Sequence, residues 1–196
     1  MAKPNVVAVY SEKGGAGKTT LAVHIALNMG AETVIDADPQ GSALRWLRER
    51  KSSAPRVISA TSLADLPDDL ETPCVMDMRP QLSAGVRQLL DLADCIVVPV
   101  RTSVVDLQAL PATVDIVRST GKRAGFVVNV LDQRTLEAKE IVEALAEYRL
   151  PIIGVLTRRV AYGRAAMTGQ TAGELGDKVA QIEIDRLVER ICKWVD

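Results

Sequence analysis

Seven short apolar stretches rich in β-branched residues punctuate the chain: VVAVY at 6–10, TVID at 33–36, RVIS at 56–59, CVMD at 74–77, CIVVPV at 95–100, GFVVNV at 125–130 and PIIGVL at 151–156. They run unbroken instead of alternating apolar with polar, so each predicted strand is covered on both faces. Between most of them lie segments of helical length: Lys18 to Met29, Ser42 to Lys51, Ser83 to Leu92, Val104 to Ser119 and Leu136 to Tyr148. The repeated alternation predicts an α/β fold, with a mostly parallel, twisted sheet of about seven or eight strands flanked by helices on both faces. The final segment sets Ile184, Leu187, Val188, Ile191, Cys192 and Val195 on one helical stripe, with Glu183, Asp185, Arg186, Glu189, Arg190 and Lys193 opposite. A polar face with three charges of each sign suits a helix packed on the core, not a basic helix lying on a membrane.

Composition adds limits to this pattern. The 196 residues are 47% hydrophobic and 25% charged, ordinary for one globular domain, and neither a repeat nor a linker divides them. A single domain over 1–196 is expected, without an N-terminal helix-turn-helix module, since five residues precede the first strand. The net charge of −1 gives no global attraction to nucleic acid, so any polyanion binding requires a local patch. Cys74, Cys95 and Cys192 are odd in number and lack a CxxC spacing. They read as buried thiols of a protein in a reducing compartment. No stretch approaches the ~18 apolar residues of a membrane span, and the expectation is a cytoplasmic protein. His24, Trp46 and Trp194 read as packing residues.

The chemistry starts at SEKGGAGKTT, residues 11–20. It follows a predicted strand and opens a predicted helix, the context in which small residues turn backbone N–H groups toward phosphates. Gly14, Gly15, Ala16, Gly17, Lys18, Thr19 and Thr20 form the candidate cradle. Lys18 is placed to reach β- and γ-phosphates, and the Thr19 hydroxyl to ligate Mg²⁺. An ordinary phosphate loop carries a further glycine where this chain has Glu12, and a second lysine, Lys13, sits beside it.

KGGAGKTT resembles the deviant phosphate loop of the ParA/MinD family of ATPases, in which that glycine is not required and an added lysine is the mark. The resemblance implies a P-loop NTPase-type fold, ATP and Mg²⁺ as ligands, and a homodimer in which Lys13 reaches the nucleotide of the partner subunit. VIDADPQGSA at 34–43 is similar to the family's DxDPQG motif, which implies that Asp38 orients the attacking water or the metal; an Asx-turn before Pro39 is compatible with that role. CVMDMRPQLS resembles the family's strand ending in aspartate, so Asp77 is expected to hold Mg²⁺ through water, joining Thr19 and Asp38. Met78 and Arg79 depart from the usual DTPP or DCPP, and Arg79 reads as a solvated side chain in preference to a phosphate or dimer contact. Asn129 stands where many members carry an adenine-binding asparagine, and an amide can match both a donor and an acceptor on a base edge. VPVRTSVVDLQAL at 98–110 is similar to the family's dimer-face region, where Asp106 contacts the partner or caps a helix.

The chain looks most like short ParA partition proteins of the ParF type. The resemblance implies a slow ATPase, with Lys13, Lys18 and Asp38 as its catalytic groups, stimulated by a ParB- or ParG-like partner. It implies ATP-dependent dimerisation, binding of nonspecific DNA on the nucleoid, and segregation of plasmid or chromosome DNA. From Tyr148 through Gly173 the chain carries Arg149, Arg158, Arg159 and Arg164 and no acidic residue. Arg158, Arg159 and Arg164 are the candidate DNA contacts, with solvated or internally paired arginines as the plainer alternative. Two other functions stay open: a positioning ATPase for a protein cargo, and an ATP-dependent ligase resembling dethiobiotin synthetase. A membrane-binding branch would want a basic terminal helix, and an iron–sulfur branch spaced cysteine pairs; the sequence has neither.

Overall fold

Seven strands lie in the order β3-β2-β4-β1-β5-β6-β7, and every neighbouring pair is parallel. The structure is a computed structural model that describes residues 3–51, 54–102, 107–131 and 136–194, with 130, 131 and 136–139 by backbone alone. The strands are β1 (Val6–Val9), β2 (Thr33–Asp36), β3 (Arg56–Ser59), β4 (Cys74–Asp77), β5 (Cys95–Arg101), β6 (Arg123–Leu131) and β7 (Ile152–Thr157). All seven apolar stretches therefore became strands. β1, β2 and β4 are buried at every position, as their unbroken apolar sequences require of strands covered on two faces. Edge strand β3 is exposed at both ends, at Arg56 and Ser59.

Parallel neighbours need crossovers, and helices supply them. They are α1 (Lys18–Met29), α2 (Ser42–Arg48), α3 (Ala84–Leu92), α4 (Leu110–Ser119), α5 (Leu136–Ala146), α6 (Val160–Thr168) and α7 (Lys178–Cys192). One face of the sheet packs Val86, Leu89 and Leu90 of α3, Leu110, Val114 and Val117 of α4, and Ile141 and Leu145 of α5. The other packs Leu21 and Ile25 of α1, Trp46 and Leu47 of α2, Ala165 of α6, and Ile184, Leu187 and Ile191 of α7. Each fully buried Leu or Ile side chain here stabilises by ~1.5–3 kcal/mol. The terminal helix is thus a core helix, and Cys74, Cys95 and Cys192 are all buried thiols.

Three helices differ most from expectation. α2 stops at Arg48 instead of Lys51, because the backbone turns at Glu49 and Arg50 through bonds to Trp46 and Leu47. The helix expected from Val104 is described as α4 only from Leu110, with Pro111 in its first turn; residues 103–106, and with them Asp106, lie outside the described residues. Helix α6 was not expected at all.

Strand order reverses around β1: the chain builds outward to β3 on one side and to β7 on the other. In open α/β sheets, ligands bind beyond the carboxyl ends of the strands at such a reversal. The loop after β1 stands there, flanked by the ends of β4 and β5. No helix among the described residues is long and apolar enough to cross a membrane.

Candidate nucleotide site

Residues 11–17 link β1 to α1, and their backbone is set by two glycines in the left-handed region, Gly15 at φ 74° and Gly17 at φ 98°. Gly17 is the N-cap of α1 and contributes no side chain to satisfy the first N–H groups, and no acidic residue occupies the first turn. Those orphan donors and the positive helix end constitute an anion site. Glu12 is no defect in this loop. Its φ is not positive, so a glycine is not needed there, and its N–H is held by the Thr113 hydroxyl of α4 at 3.1 Å.

Lys18 is buried, and its ammonium donates to the Lys13 carbonyl at 2.9 Å. Burial pulls its pKa below the ordinary lysine value, against the attraction of Asp77 and Asp38. Thr19 Oγ1 donates to Asp77 Oδ2 at 2.7 Å, joining the loop to the end of β4. Burial pushes the Asp77 carboxyl up to about 7, opposed chiefly by that Thr19 hydrogen bond. A buried carboxylate and hydroxyl side by side, with a lysine nearby, form a donor set suited to Mg²⁺ shared with phosphate and water. Asn129, near the end of β6, donates from Nδ2 to Ala16 O at 3.0 Å, and Arg101 at the end of β5 reaches Gly15 O at 3.5 Å. These two strand-end residues are register partners, so they hold successive loop carbonyls from one side.

Asp38 Oδ1 accepts the Gln40 N–H at 2.9 Å, the Asx-turn that the sequence allowed. Sequence reasoning missed the supporting aspartate. Asp36 is fully buried and accepts N–H groups from Asp38 at 3.2 Å and Leu44 at 2.9 Å, so one carboxylate fixes both the DADPQG turn and the start of α2. The doubled aspartate in that motif was the signal that could have found it.

Behind the loop helix, His24 donates from Nδ1 to Thr20 O at 2.8 Å and accepts Ala172 N–H on Nε2 at 2.9 Å. Its ring meets Trp46 and Tyr162 edge-on, at 5.6 and 5.1 Å between centroids. Burial lowers its pKa to about 4. Below the ordinary value of about 6.5 the unfolded chain takes up a proton that the native ring refuses, so this contribution to stability is lost as pH falls toward 4. The stability advantage over a His24→Gln variant should shrink by roughly 2 kcal/mol between about pH 6.5 and 5. Paired urea melts at several pH values check this; a constant difference would contradict the buried neutral ring.

The late arginines do not form one free patch. Arg159 is bound to Asp177 Oδ2 at 2.5 Å and touches Thr157 Oγ1 at 3.5 Å. Arg158 and Arg164 are exposed, and neither guanidinium pairs with a described residue. Arg79 also departs from expectation: it is half-buried, and its Nε is inaccessible and unpaired, not solvated.

Residues 7–172 match the CobQ/CobB/MinD/ParA nucleotide binding domain. The chain belongs to this family. Among relatives, the maintenance of carboxysome distribution protein A of Gloeobacter kilaueensis is 33% identical over 178 residues, covering 85% of this chain and 82% of that protein. The protein of the same name from Halothiobacillus neapolitanus is 27% identical over 212 residues, covering 96% of this chain and 97% of its own length. A putative plasmid partition protein from Borrelia burgdorferi, solved bound to AMPPNP, superposes with a TM-score of 0.76 at 18% identity, over 97% of this chain and 99% of that one. At that identity the superposition shows the ParA/MinD fold alone.

Proposed function

We propose that this chain is an ATP-hydrolysing, dimerising switch that distributes a cargo over nonspecific DNA. The observation that carries the reading is the phosphate loop itself: Lys18 buried at the first turn of α1, its ammonium on the Lys13 carbonyl, and Thr19 bonded to Asp77. Gly14 to Thr20 would hold the phosphates, with Lys18 on the β- and γ-phosphates. Thr19 and Asp77 would hold Mg²⁺, with Asp38 beside them. Mg²⁺ when bound neutralises phosphate charge. Asp38 orients the attacking water, and Lys13 reaches the partner subunit's nucleotide, so that ATP closes the dimer. Asn129 offers its free amide oxygen to adenine.

The carboxysome-distribution relatives favour a protein cargo over plasmid or chromosome DNA, with a partner protein that speeds hydrolysis. The likeness to a plasmid partition protein keeps DNA segregation with a ParB- or ParG-like partner as the second reading. Exposed Arg158 and Arg164 are the DNA contacts available on this chain, with Arg159 positioned by its ion pair. A metabolite-dependent ligase would consume ATP only with its substrate and ignore DNA.

Co-sedimentation with DNA in ATP, ADP and no nucleotide tests the switch. DNA should pellet the ATP form selectively, and Lys13→Ala should reduce that fraction about tenfold or more by removing a charge-assisted contact to phosphate. Equal binding in all three states would sink the proposal.

A further inference from the structure

Two open grooves meet along the outer side of α2. One, of about 570 Å³, is lined by Thr19, Arg45, Arg48 and Ala166 among others; the second, of about 580 Å³, includes Lys51, Met167 and the ion pair of Arg50 with Glu174. Glu49 lines both, so the two form one trough between α2 and α6. Arg48 and Lys51 are exposed, and neither side chain pairs with a described residue. Arg45 lies exposed on the same helix, its guanidinium folded back onto the Gln40 carbonyl and Ser42.

The α6 wall carries the opposite chemistry at Ala166 and Met167, and Val160 extends it along the helix beyond the two grooves. Met167 and Val160 are each 79% exposed, against 38–48% for the remaining exposed large hydrophobic side chains. With Gly163, whose Cβ position opens on empty space, and Arg164, they make one i, i+3, i+4, i+7 face of α6. Aliphatic side chains left this open beside unpaired cations mark an interaction surface, and methionine adapts readily to a partner's shape.

We infer that the trough between α2 and α6 docks an acidic, amphipathic segment of a partner protein, and that its occupancy controls hydrolysis. The regulatory half rests on the ATPase reading above. A phosphodiester backbone would use Arg48 and Lys51 but find nothing for Met167, so a peptide with carboxylates and an apolar anchor is the better complement. The trough also adjoins the nucleotide motifs. Helix α2 starts at the Gly41 cap of DADPQG, and its Leu44 N–H is held by Asp36. Trp46 beneath the trough donates to Gln170 O at 3.1 Å and meets the His24 ring, which is bonded to the Thr20 carbonyl of the phosphate-loop helix. A segment wedged between α2 and α6 therefore presses on the groups that position Thr19 and Asp38.

The test uses a phage-displayed library of random linear peptides, selected on the intact protein with ATP and Mg²⁺. Enriched sequences should combine Asp or Glu with Leu, Met or Phe at helical spacing. Arg48→Glu and Met167→Asp, both at exposed positions, should each weaken the selected peptides about tenfold, and duplex DNA should not displace them from an Arg164→Ala variant. Enriched peptides that lack acidic residues, that bind the variants as well as the parent, or that DNA displaces from the Arg164→Ala variant would overturn the assignment, as would failure to enrich any. ATP turnover is read separately with and without the selected peptide. Peptide binding in a protein that never binds ATP leaves the docking site standing and refutes the ATPase reading. ATP turnover that no trough-binding peptide changes refutes only the control of hydrolysis.

Discussion

Alanine at position 17 is expected to abolish nucleotide binding while leaving a weakened but folded protein. Gly17 has φ 98°, where an L side chain is strained by roughly 1–2 kcal/mol. A Cβ built there lies 2.1 Å from Asn129 Nδ2, so the amide must move. That amide is buried and spends its donor on the Ala16 carbonyl, and freeing it leaves an unsatisfied polar group worth roughly 1–3 kcal/mol. The two effects together cost about 2–5 kcal/mol, below the stability of a typical domain. The loop has no equivalent economy: once its carbonyls shift, its N–H groups no longer converge, and affinity for ATP should fall by about a hundredfold or more. Gly15→Ala supplies the comparison, since Gly15 has φ 74° but nothing within 4 Å of its Cβ position. Fluorescent-nucleotide titrations and thermal melts should find Gly15→Ala milder in both. Adding Asn129→Ala to Gly17→Ala should recover part of the stability, because the collision goes while the dihedral strain stays. Equal losses for the two glycine variants would mean that Asn129 is not wedged against the loop.

The contrast between these glycines illustrates what one sequence can reveal. GGAGKTT after an apolar strand announces a phosphate loop, because its signal is local: small residues, a lysine and a helix start in fixed order. All seven strands were legible for a similar reason, since unbroken β-branched stretches have few other uses in a chain of this length. Contacts that tie the loop to the rest of the fold were not legible. Thr113 holds Glu12 from 101 residues away, and Asn129 holds Ala16 from 113. The meaning of Glu12 depends on the first of these, and no spacing rule predicts it.

Helix α6 stayed hidden because its most apolar residues, Val160 and Met167, face solvent, while its buried contact is made by the small Ala165. Its pattern therefore lacks the apolar stripe that announces a helix packed on a core. The arginines around it were read as one basic patch since no acid lies between Tyr148 and Gly173, yet Asp177 just beyond that window captures Arg159. Asp36 was overlooked beside Asp38 for the opposite reason. Two carboxylates two residues apart look alike in sequence, and only the sheet shows that one is sealed inside and holds backbone while the other stands at the turn.

Asp77→Asn should stabilise the nucleotide-free protein at alkaline pH and abolish its response to Mg²⁺ and ATP. Burial, the main cause, lifts the Asp77 carboxyl to about 7, well above its unfolded value of 3.8. For an acid with a raised folded pKa, the native state holds the proton that the unfolded chain gives up. Its contribution to stability is complete below the unfolded pKa and is lost as pH rises through about 7. The loss amounts to roughly 4 kcal/mol by about pH 8, the cost of keeping a sealed carboxylate charged. Asparagine removes that cost at every pH and can still accept the Thr19 hydroxyl, but its amide nitrogen arrives without a partner and costs roughly 1–3 kcal/mol. The variant should therefore be less stable than the parent near pH 4 and as stable or more so near pH 8. Mg²⁺ and ATP should restore the parent's advantage. A ligand present at about a hundred times its dissociation constant adds ~2.7 kcal/mol to the state that binds it, and the asparagine variant, lacking the charge that holds the metal, should gain little of this. Urea melts at both pH values, with and without Mg²⁺ and ATP, read all four corners of the cycle. If both proteins gained equally from Mg²⁺ and ATP, Asp77 would be a structural carboxylate, and the metal site would have to be sought at Asp38. Unequal gains would mark Asp77 as a carboxylate that weakens the empty protein and strengthens the loaded one, the coupling that a nucleotide-driven switch requires.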